Sequence, residues 1–242
     1  MMERFTVFVP KLLPRQECFL PESPHSCKGC AEALAIRHVY KGLGSADVIE
    51  KGEWKIPWKQ SISDLEGPAR REMFLPTLLM IPKTEGRVLS ICFDNEACTD
   101  NTGRGKRFWK KHMPAVAVAD GIPYVATACP SYLFDLMAKV KEGYRFQGDA
   151  YIHVLCPCPV GWGFESSLSI KIGKLAVESN LFPLYAVVQN RLSMSVEIPK
   201  PRLVKEYFRS QGRFKDLSDT VVAEIQCMVS QEYKKLKSTI LL

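Results

Sequence analysis

The residues of this chain that could do the most chemistry are its cysteines. There are nine: Cys18, Cys27, Cys30, Cys92, Cys98, Cys129, Cys156, Cys158 and Cys227. Two groups are spaced for joint work. Cys27-Lys-Gly-Cys30 sets two thiols three positions apart on a tight turn, and its glycine relieves crowding. Both thiolates can then reach one metal ion or one cluster. A redox dithiol, half a zinc site and half an iron–sulfur site all fit that spacing. The second group is Cys156-Pro-Cys158-Pro, where each proline fixes the backbone direction and removes a donor. Nine cysteines without a secretory signal favour metal, cluster or redox use of a subset over a disulfide framework. Cys92 reads as a core residue of a central strand, and Cys227 as a structural residue of a C-terminal helix. Cys129 reads either as a strand-end thiol or as a replacement ligand. Cys18 carries no readable role.

A second chemistry is written in Ile91-Cys-Phe-Asp-Asn-Glu-Ala-Cys-Thr-Asp-Asn-Thr-Gly103. It opens with an apolar run of strand length, Val88 to Phe93, and stops in small and acidic residues. Carboxylates, amides and free backbone groups then stand at a strand's C-terminal edge, where open α/β sheets bind ligands. The Asn95 amide and backbone carbonyls are hard oxygen donors suited to Mg²⁺. Asn101-Thr102-Gly103 is a turn able to hydrogen-bond a phosphate. The plain alternative is a strand followed by a polar turn.

These residues need elements to position them, and the periodicity supplies several. Ala31, Leu34, Ala35, Val39 and Leu43 share one helical face directly after Cys30, with Gly42 and Gly44 as stop signals. Asp120 to Ser131 reads as a turn, a buried strand and a helix start. Leu133, Leu136, Met137 and Val140 then recur at helical spacing. Tyr151 to Leu155 is a strand running into the Cys156-Pro-Cys158 group; its alternation makes His153 a satisfied structural histidine. Leu168, Ile172, Leu175 and Ala176 mark another helix. Phe182 to Val196 reads as two strands joined at Gln189-Asn190. A last amphipathic helix runs from about Ser218 to Lys237. Residues 1–26 are proline-rich and aperiodic, an arm that wraps against something else.

Composition bounds the function. At 242 residues the chain can build one large α/β domain, and 46% apolar with 24% charged residues is ordinary for a soluble globular protein. No apolar run reaches the ~18 residues of a membrane helix. Met1-Met2-Glu3-Arg4 lacks a signal-peptide layout, so the sequence predicts a cytoplasmic protein. The net charge is +7, and Arg104-Gly-Lys-Arg-Phe-Trp-Lys-Lys111 concentrates it. That run suits an anionic cofactor or an acidic partner better than nucleic acid.

The wording of these segments is more specific than their physics. Asp94-Asn95-Glu96-Ala97 with Asn101-Thr102-Gly103 resembles the thiamine-diphosphate segment of the β subunit of the 2-oxoacid:ferredoxin oxidoreductases, the family of pyruvate and ketoisovalerate synthases. Cys27-Lys-Gly-Cys30 leading into a helix, Trp54-Lys-Ile-Pro-Trp-Lys-Gln-Ser61, Asp120-Gly-Ile-Pro-Tyr-Val-Ala-Thr-Ala128 and Pro157-Cys-Pro-Val-Gly-Trp-Gly163 resemble the same family in the same order. The resemblance covers roughly residues 24–60 and 85–216.

It implies one thiamine-diphosphate-binding α/β domain over residues 1–242, with a mostly parallel sheet and helices on both faces. The tail from about residue 198 is expected to pack on partner chains. It implies oxidative decarboxylation of a 2-oxoacid to acyl-CoA, within an obligate complex with α-type and other subunits and with ferredoxin as an electron acceptor. The cofactor residues it implies are Asp94, Asn95, Ala97, Asn101 and Thr102 for Mg²⁺ and thiamine diphosphate. Cys27, Cys30 and Cys158 fall on ligands of a 4Fe–4S cluster, with Cys156 or Cys129 to supply the fourth. Zinc on Cys27, Cys30, Cys156 and Cys158 is the other chemistry the donors allow.

The sequence also departs from the pattern. Cys98, Thr99 and Asp100 intervene where the family has two residues. Between Cys30 and Cys92 there is no cysteine, although the family has a third cluster ligand there. No Gly-Asp-Gly occurs, although its Asp is the family's charged Mg²⁺ ligand. Asn95 and a carbonyl alone face a strongly anionic diphosphate–metal unit, which argues for a degraded thiamine site. A non-catalytic subunit that keeps the fold and a cluster or zinc therefore stands beside the enzyme reading.

Overall fold

The computed structural model describes residues 27–43, 77–96 and 112–239. Ala97, Asn101, Thr102, the N-terminal arm, the Trp54–Ser61 segment and the basic run of residues 104–111 lie outside the described residues.

The described strands form one six-stranded sheet: β1 (Thr77–Pro82), β2 (Val88–Asp94), β3 (Tyr124–Ala128), β4 (Ala150–Leu155), β5 (Tyr185–Val188) and β6 (Arg191–Met194). Their spatial order is β1-β2-β4-β3-β5-β6. The central strands β2, β4 and β3 run parallel, while β1 pairs with β2, β5 with β3, and β6 with β5 in the antiparallel sense. The expected α/β class holds, with its parallel pairing at the centre of the sheet. β4 is buried along its whole length, as a parallel strand covered on both faces must be.

Period-2 alternation assigns the two faces. Leu89, Ile91 and Phe93 of β2, Ala126 and Ala128 of β3, and Ile152, Val154 and Cys156 at the end of β4 form one apolar layer. Two helices cover it, α1 (Ala31–Leu43) and α3 (Leu133–Arg145), with Ala35, Ile36, Val39, Leu136 and Val140 buried between. On the opposite face Cys92, Val125, Tyr151 and Val187 pack with Ala117 of the short α2 (Met113–Ala119). Cys92 is thus a core residue, as expected. A third cluster forms beyond the carboxyl end of β4. It is built from Trp162 in α4 (Pro159–Trp162), Ile172 and Leu175 in α5 (Ser169–Glu178), Tyr207 and Phe208 in α6 (Val204–Arg209), and Val222 and Ile225 in α7 (Asp219–Thr239). Burying each large apolar side chain stabilises the fold by about 1.5–3 kcal/mol.

The C-terminal segment therefore folds back on its own chain through α6 and α7. Cys227 corrects an expectation: it lies on the exposed face of α7, and Gln231 is its only hydrogen-bond partner among the described residues (3.6 Å). Gln189 and Asn190 close the β5–β6 hairpin with φ of 49° and 64°. That is the left-handed pair a two-residue hairpin requires.

No helix among the described residues is long and apolar enough to cross a membrane.

Candidate functional site

The three parallel strands point their carboxyl ends the same way, and that edge collects the residues of interest. β2 ends at Asp94, β4 runs on into Cys156, and β3 into Cys129. The Cys156 N–H donates to the Asp94 carbonyl (2.8 Å), so the β2–β4 ladder extends one step past the sheet.

The Cys27–Cys30 turn is brought to this edge by close backbone packing. The Cys30 N–H donates to the Cys27 carbonyl (3.1 Å), and the Cys30 carbonyl accepts from Leu34 as α1 begins. Gly29 has φ +70°, and a Cβ placed there would stand 2.2 Å from the Ser166 carbonyl oxygen. The Ser169 hydroxyl donates to the Gly29 carbonyl (2.6 Å). Ser166 and Ser169 lie in the segment that follows Cys158, so that segment packs on the Cys27–Cys30 turn. Cys158 is near enough to Cys30 to disfavour its ionisation, and Cys30 does the same to Cys156. Burial is the first cause that raises the Cys30 thiol above its ordinary range; Glu32 and Cys158 push it the same way.

The four expected thiols differ in setting. Cys27 is exposed, Cys30 and Cys158 half-buried, and Cys156 fully buried. Cys156 continues the inward alternation of β4 into the apolar layer, and its thiol faces the Val154 carbonyl at 3.6 Å. Burial, then the negative charge of Glu32, holds it well above the ordinary thiol range. Cys158 caps α4, with its sulfur accepting from the Gly161 N–H at 3.4 Å. Cys129 is also enclosed, packed by Ser131 and by α5 at Gly173, and burial pushes it up to about 11. Among the described residues no three His, Cys, Asp or Glu side chains converge to metal-holding distance. The thiols share one neighbourhood without forming a closed ligand set.

Beside them stands the Asp94-Asn95-Glu96 turn, held from four elements. From β4, His153 Nε2 lies 3.3 Å from Asp94 Oδ2. The other carboxylate oxygen accepts the Glu96 N–H at 3.0 Å. From α1, Glu32 Oε2 accepts from Asn95 Nδ2 at 3.2 Å, which fixes how the Asn95 amide is turned. From α4, Trp162 Nε1 donates to the Asn95 carbonyl at 2.7 Å. From the C-terminal segment, Arg213 pairs with Glu96 at 3.0 Å. Glu96 itself has φ 45°, a left-handed conformation that costs a residue with a side chain about 1–2 kcal/mol.

His153 is satisfied, as its strand alternation suggests. Tyr151 meets its Nδ1 at 3.0 Å and Asp94 its Nε2. Burial alone would pull the imidazole down, but hydrogen bonds to Asp94 and Cys92 outweigh it and raise it to about 9. The Asp94 carboxylate is accordingly committed within the protein. Asn95 stands at the sheet edge as expected.

Sequence reasoning missed two residues that shape this site, Glu32 and Arg213, and the pairing of Asp94 with His153. Glu32 joins the thiol turn to the acid–amide turn. Arg213 comes from far along the chain. Asp94 and His153 meet only because β2 and β4 pair with Cys92 opposite His153. The one local signal was Glu32, an acidic side chain in the first turn of a helix.

A thiol-bearing turn and an acid–amide turn meeting at the carboxyl edge of parallel strands define an α/β protein with its site at the strand ends. Comparison with known proteins narrows that class. No family model matches the chain. Pyruvate synthase subunit PorB of Methanocaldococcus jannaschii is 37% identical over 171 residues, 62% of this chain and 57% of that protein. Its counterpart in Methanosarcina barkeri is 30% identical over 237 residues, 78% of this chain and 76% of that protein. Ketoisovalerate oxidoreductase subunit VorB of Pyrococcus horikoshii is 34% identical over 148 residues, 58% of this chain and 48% of that protein. The chain belongs to the family of β subunits of the 2-oxoacid:ferredoxin oxidoreductases.

Proposed function

We propose that this chain is the β-type subunit of a 2-oxoacid oxidoreductase complex and that its cysteines hold an iron–sulfur cluster. The observation that carries this reading is the packing of the Cys27–Cys30 turn on Ser166 and Ser169, with Cys30 near enough to Cys158 to feel its charge. Cys27, Cys30 and Cys158 would bind the cluster, with Cys156 as fourth ligand; Cys129 is the deeper alternative. A bound 4Fe–4S cluster supplies one-electron transfer. The protein's own part is to exclude water, through Cys156 and the apolar layer beneath it. Its Glu32 carboxylate adds a negative charge beside the thiols. The complex would convert a 2-oxoacid to acyl-CoA in the cytoplasm, with an α-type subunit as partner and ferredoxin as electron acceptor.

Mg²⁺ and thiamine diphosphate would use Asn95, the Ala97 carbonyl and the Asn101-Thr102 turn. A second reading keeps the cluster or a zinc ion and omits thiamine. It is favoured by the engagement of Asp94 with His153 and the Glu96 N–H, together with the lack of any Gly-Asp-Gly. In the described part of the turn both carboxylates are paired, Asp94 with His153 and Glu96 with Arg213, so Asn95 would offer the metal a neutral oxygen.

Metal analysis of protein purified without oxygen tests the first reading. About four irons and four sulfides per chain are expected. One zinc per chain would replace the cluster reading with a structural site, and no metal would leave a scaffold subunit. Cys27→Ser and Cys30→Ser should each remove the bound metal; unchanged metal content in either overturns the site. Titration with thiamine diphosphate and Mg²⁺ in the presence of the partner chain separates the two readings.

A further inference from the structure

The C-terminal segment reaches back to the motif turn through one side chain. Arg213 lies in the short helical turn Gly212–Phe214, and its side chain is 12% exposed. One guanidinium nitrogen is 3.0 Å from Glu96 Oε2. The guanidinium carbon sits 3.7 Å from the centre of the Trp162 ring, and that ring's N–H holds the Asn95 carbonyl. The other two nitrogens are engaged as well: Nε gives to Gln211 Oε1 at 2.8 Å, and Nη2 to the Tyr207 hydroxyl at 3.1 Å. The backbone beneath is fastened by the Gly212 N–H donating to the Gly163 carbonyl at 2.9 Å.

One cation therefore grips the indole that holds Asn95 and the carboxylate of the next residue, Glu96. Glu96 is left-handed, and such a conformation persists only where surroundings over-determine it. An arginine suits this place because its planar fork can stack on a ring and donate in several directions at once. A lysine supplies the charge without the stack.

We propose that Arg213 is a positioning residue: by gripping Glu96 and Trp162 together it keeps the Asp94–Glu96 turn in its left-handed form, so that the presentation of Asn95 depends on docking of the C-terminal segment. The consequence for ligand binding rests on the thiamine reading above; the effect on the turn does not.

Hydrogen–deuterium exchange on the whole chain tests the positioning. In Arg213→Gln the Asn95 and Glu96 amides should exchange at least tenfold faster, with Leu89 to Phe93 unchanged. Arg213→Lys should fall between. If Arg213→Gln fails to fold, Glu96→Gln removes the ion pair while leaving the stack, and should speed the same amides. Unchanged exchange at Asn95 and Glu96 in the folded variants overturns the proposal. The affinity for thiamine diphosphate with Mn²⁺, read by the metal's paramagnetic resonance, should drop at least fivefold in Arg213→Gln and partly recover in Arg213→Lys. Faster exchange with unaltered affinity overturns the claimed effect on presentation. A wild-type chain that binds no thiamine diphosphate defeats the thiamine reading instead, and exchange still decides the role of Arg213.

Discussion

Replacing Gly29 by alanine should open the thiol site from the backbone outward. The residue has φ +70°, and its added Cβ would meet the Ser166 carbonyl oxygen at 2.2 Å, the carbonyl carbon at 2.8 Å and Cα at 2.9 Å. All three are backbone atoms, so no side chain can swing aside. Left-handed backbone costs an alanine about 1–2 kcal/mol, and forcing extra volume into packed structure costs about 1–3 kcal/mol more. Gly86 provides the matched control. Its φ is +73°, but nothing lies within 4 Å of a Cβ there, so Gly86→Ala carries the backbone cost alone. The difference between the two variants isolates the close approach. The turn has its own escape, which is to detach from the Ser166–Ser169 segment without unfolding the sheet. Detachment would expose the half-buried Cys30. At about 1.4 kcal/mol per decade, a clash of ~2 kcal/mol raises the rate of Cys30 alkylation roughly thirtyfold at fixed pH. The assay is peptide-resolved alkylation of Cys30 on metal-free protein, with urea unfolding in parallel. Equal labelling and equal stability in Gly29→Ala and Gly86→Ala would falsify the packing argument.

Two further outcomes follow from buried charge. Lys139 and Asp135 are 3% and 1% exposed, and the ammonium donates to Asp135 Oδ2 at 2.7 Å, the Thr127 carbonyl at 2.7 Å and the Ser195 hydroxyl at 2.6 Å. Lys139→Met strands a buried carboxylate and should cost about 3–5 kcal/mol in urea unfolding. Pairing it with Asp135→Leu should recover most of that loss, and a double variant no better than the single one refutes the ion-pair account. His153 is raised to about 9 by Asp94 and Cys92 against the opposing effect of burial. A folded value above the unfolded one of about 6.5 means that its contribution is complete below pH ~6.5 and is lost as pH climbs towards about 9. Stability should fall across that window in wild type and stay flatter in His153→Gln; parallel slopes would refute the assignment.

Much of the scaffold was legible because its signals are local. The apolar runs of β2, β3 and β4, the helical faces of α1, α3 and α5, and the Gln189-Asn190 turn each carry their own signature. β1 was missed although Thr77-Leu-Leu-Met-Ile-Pro is a strand-length apolar run, and α2 was missed although His112 caps it and a proline follows at the helix start. The site was less legible because its making is not local. The Asp94–His153 pair depends on strand register, and the grip of Arg213 depends on where the tail docks. The setting of Cys156 could have been read: two residues beyond Val154, the alternation of β4 already turns it inward. The Cys156-Pro-Cys158-Pro spacing drew attention to its thiol as a candidate ligand rather than to its burial. The positions of Ala97, Asn101 and Thr102 lie outside the described residues.

The charges around the turn explain why the two halves of the site are one unit. Asp94 is matched by His153, and Glu96 by Arg213. Among the described residues here, Glu32 is the carboxylate that accepts from an amide, that of Asn95. It lies two residues past Cys30, and its charge disfavours the thiolate at both Cys30 and Cys156. A metal or cluster bound at these cysteines would replace the thiol protons and so change the charge that the Glu32 carboxylate faces. The same carboxylate is also the acceptor that turns the Asn95 amide. A change of charge at the thiols is therefore felt directly at the hydrogen bond that orients Asn95, with no moving element required between them. Among the described residues, Glu32 thus bears both on the Cys30 and Cys156 thiols and on the hydrogen bond that orients Asn95.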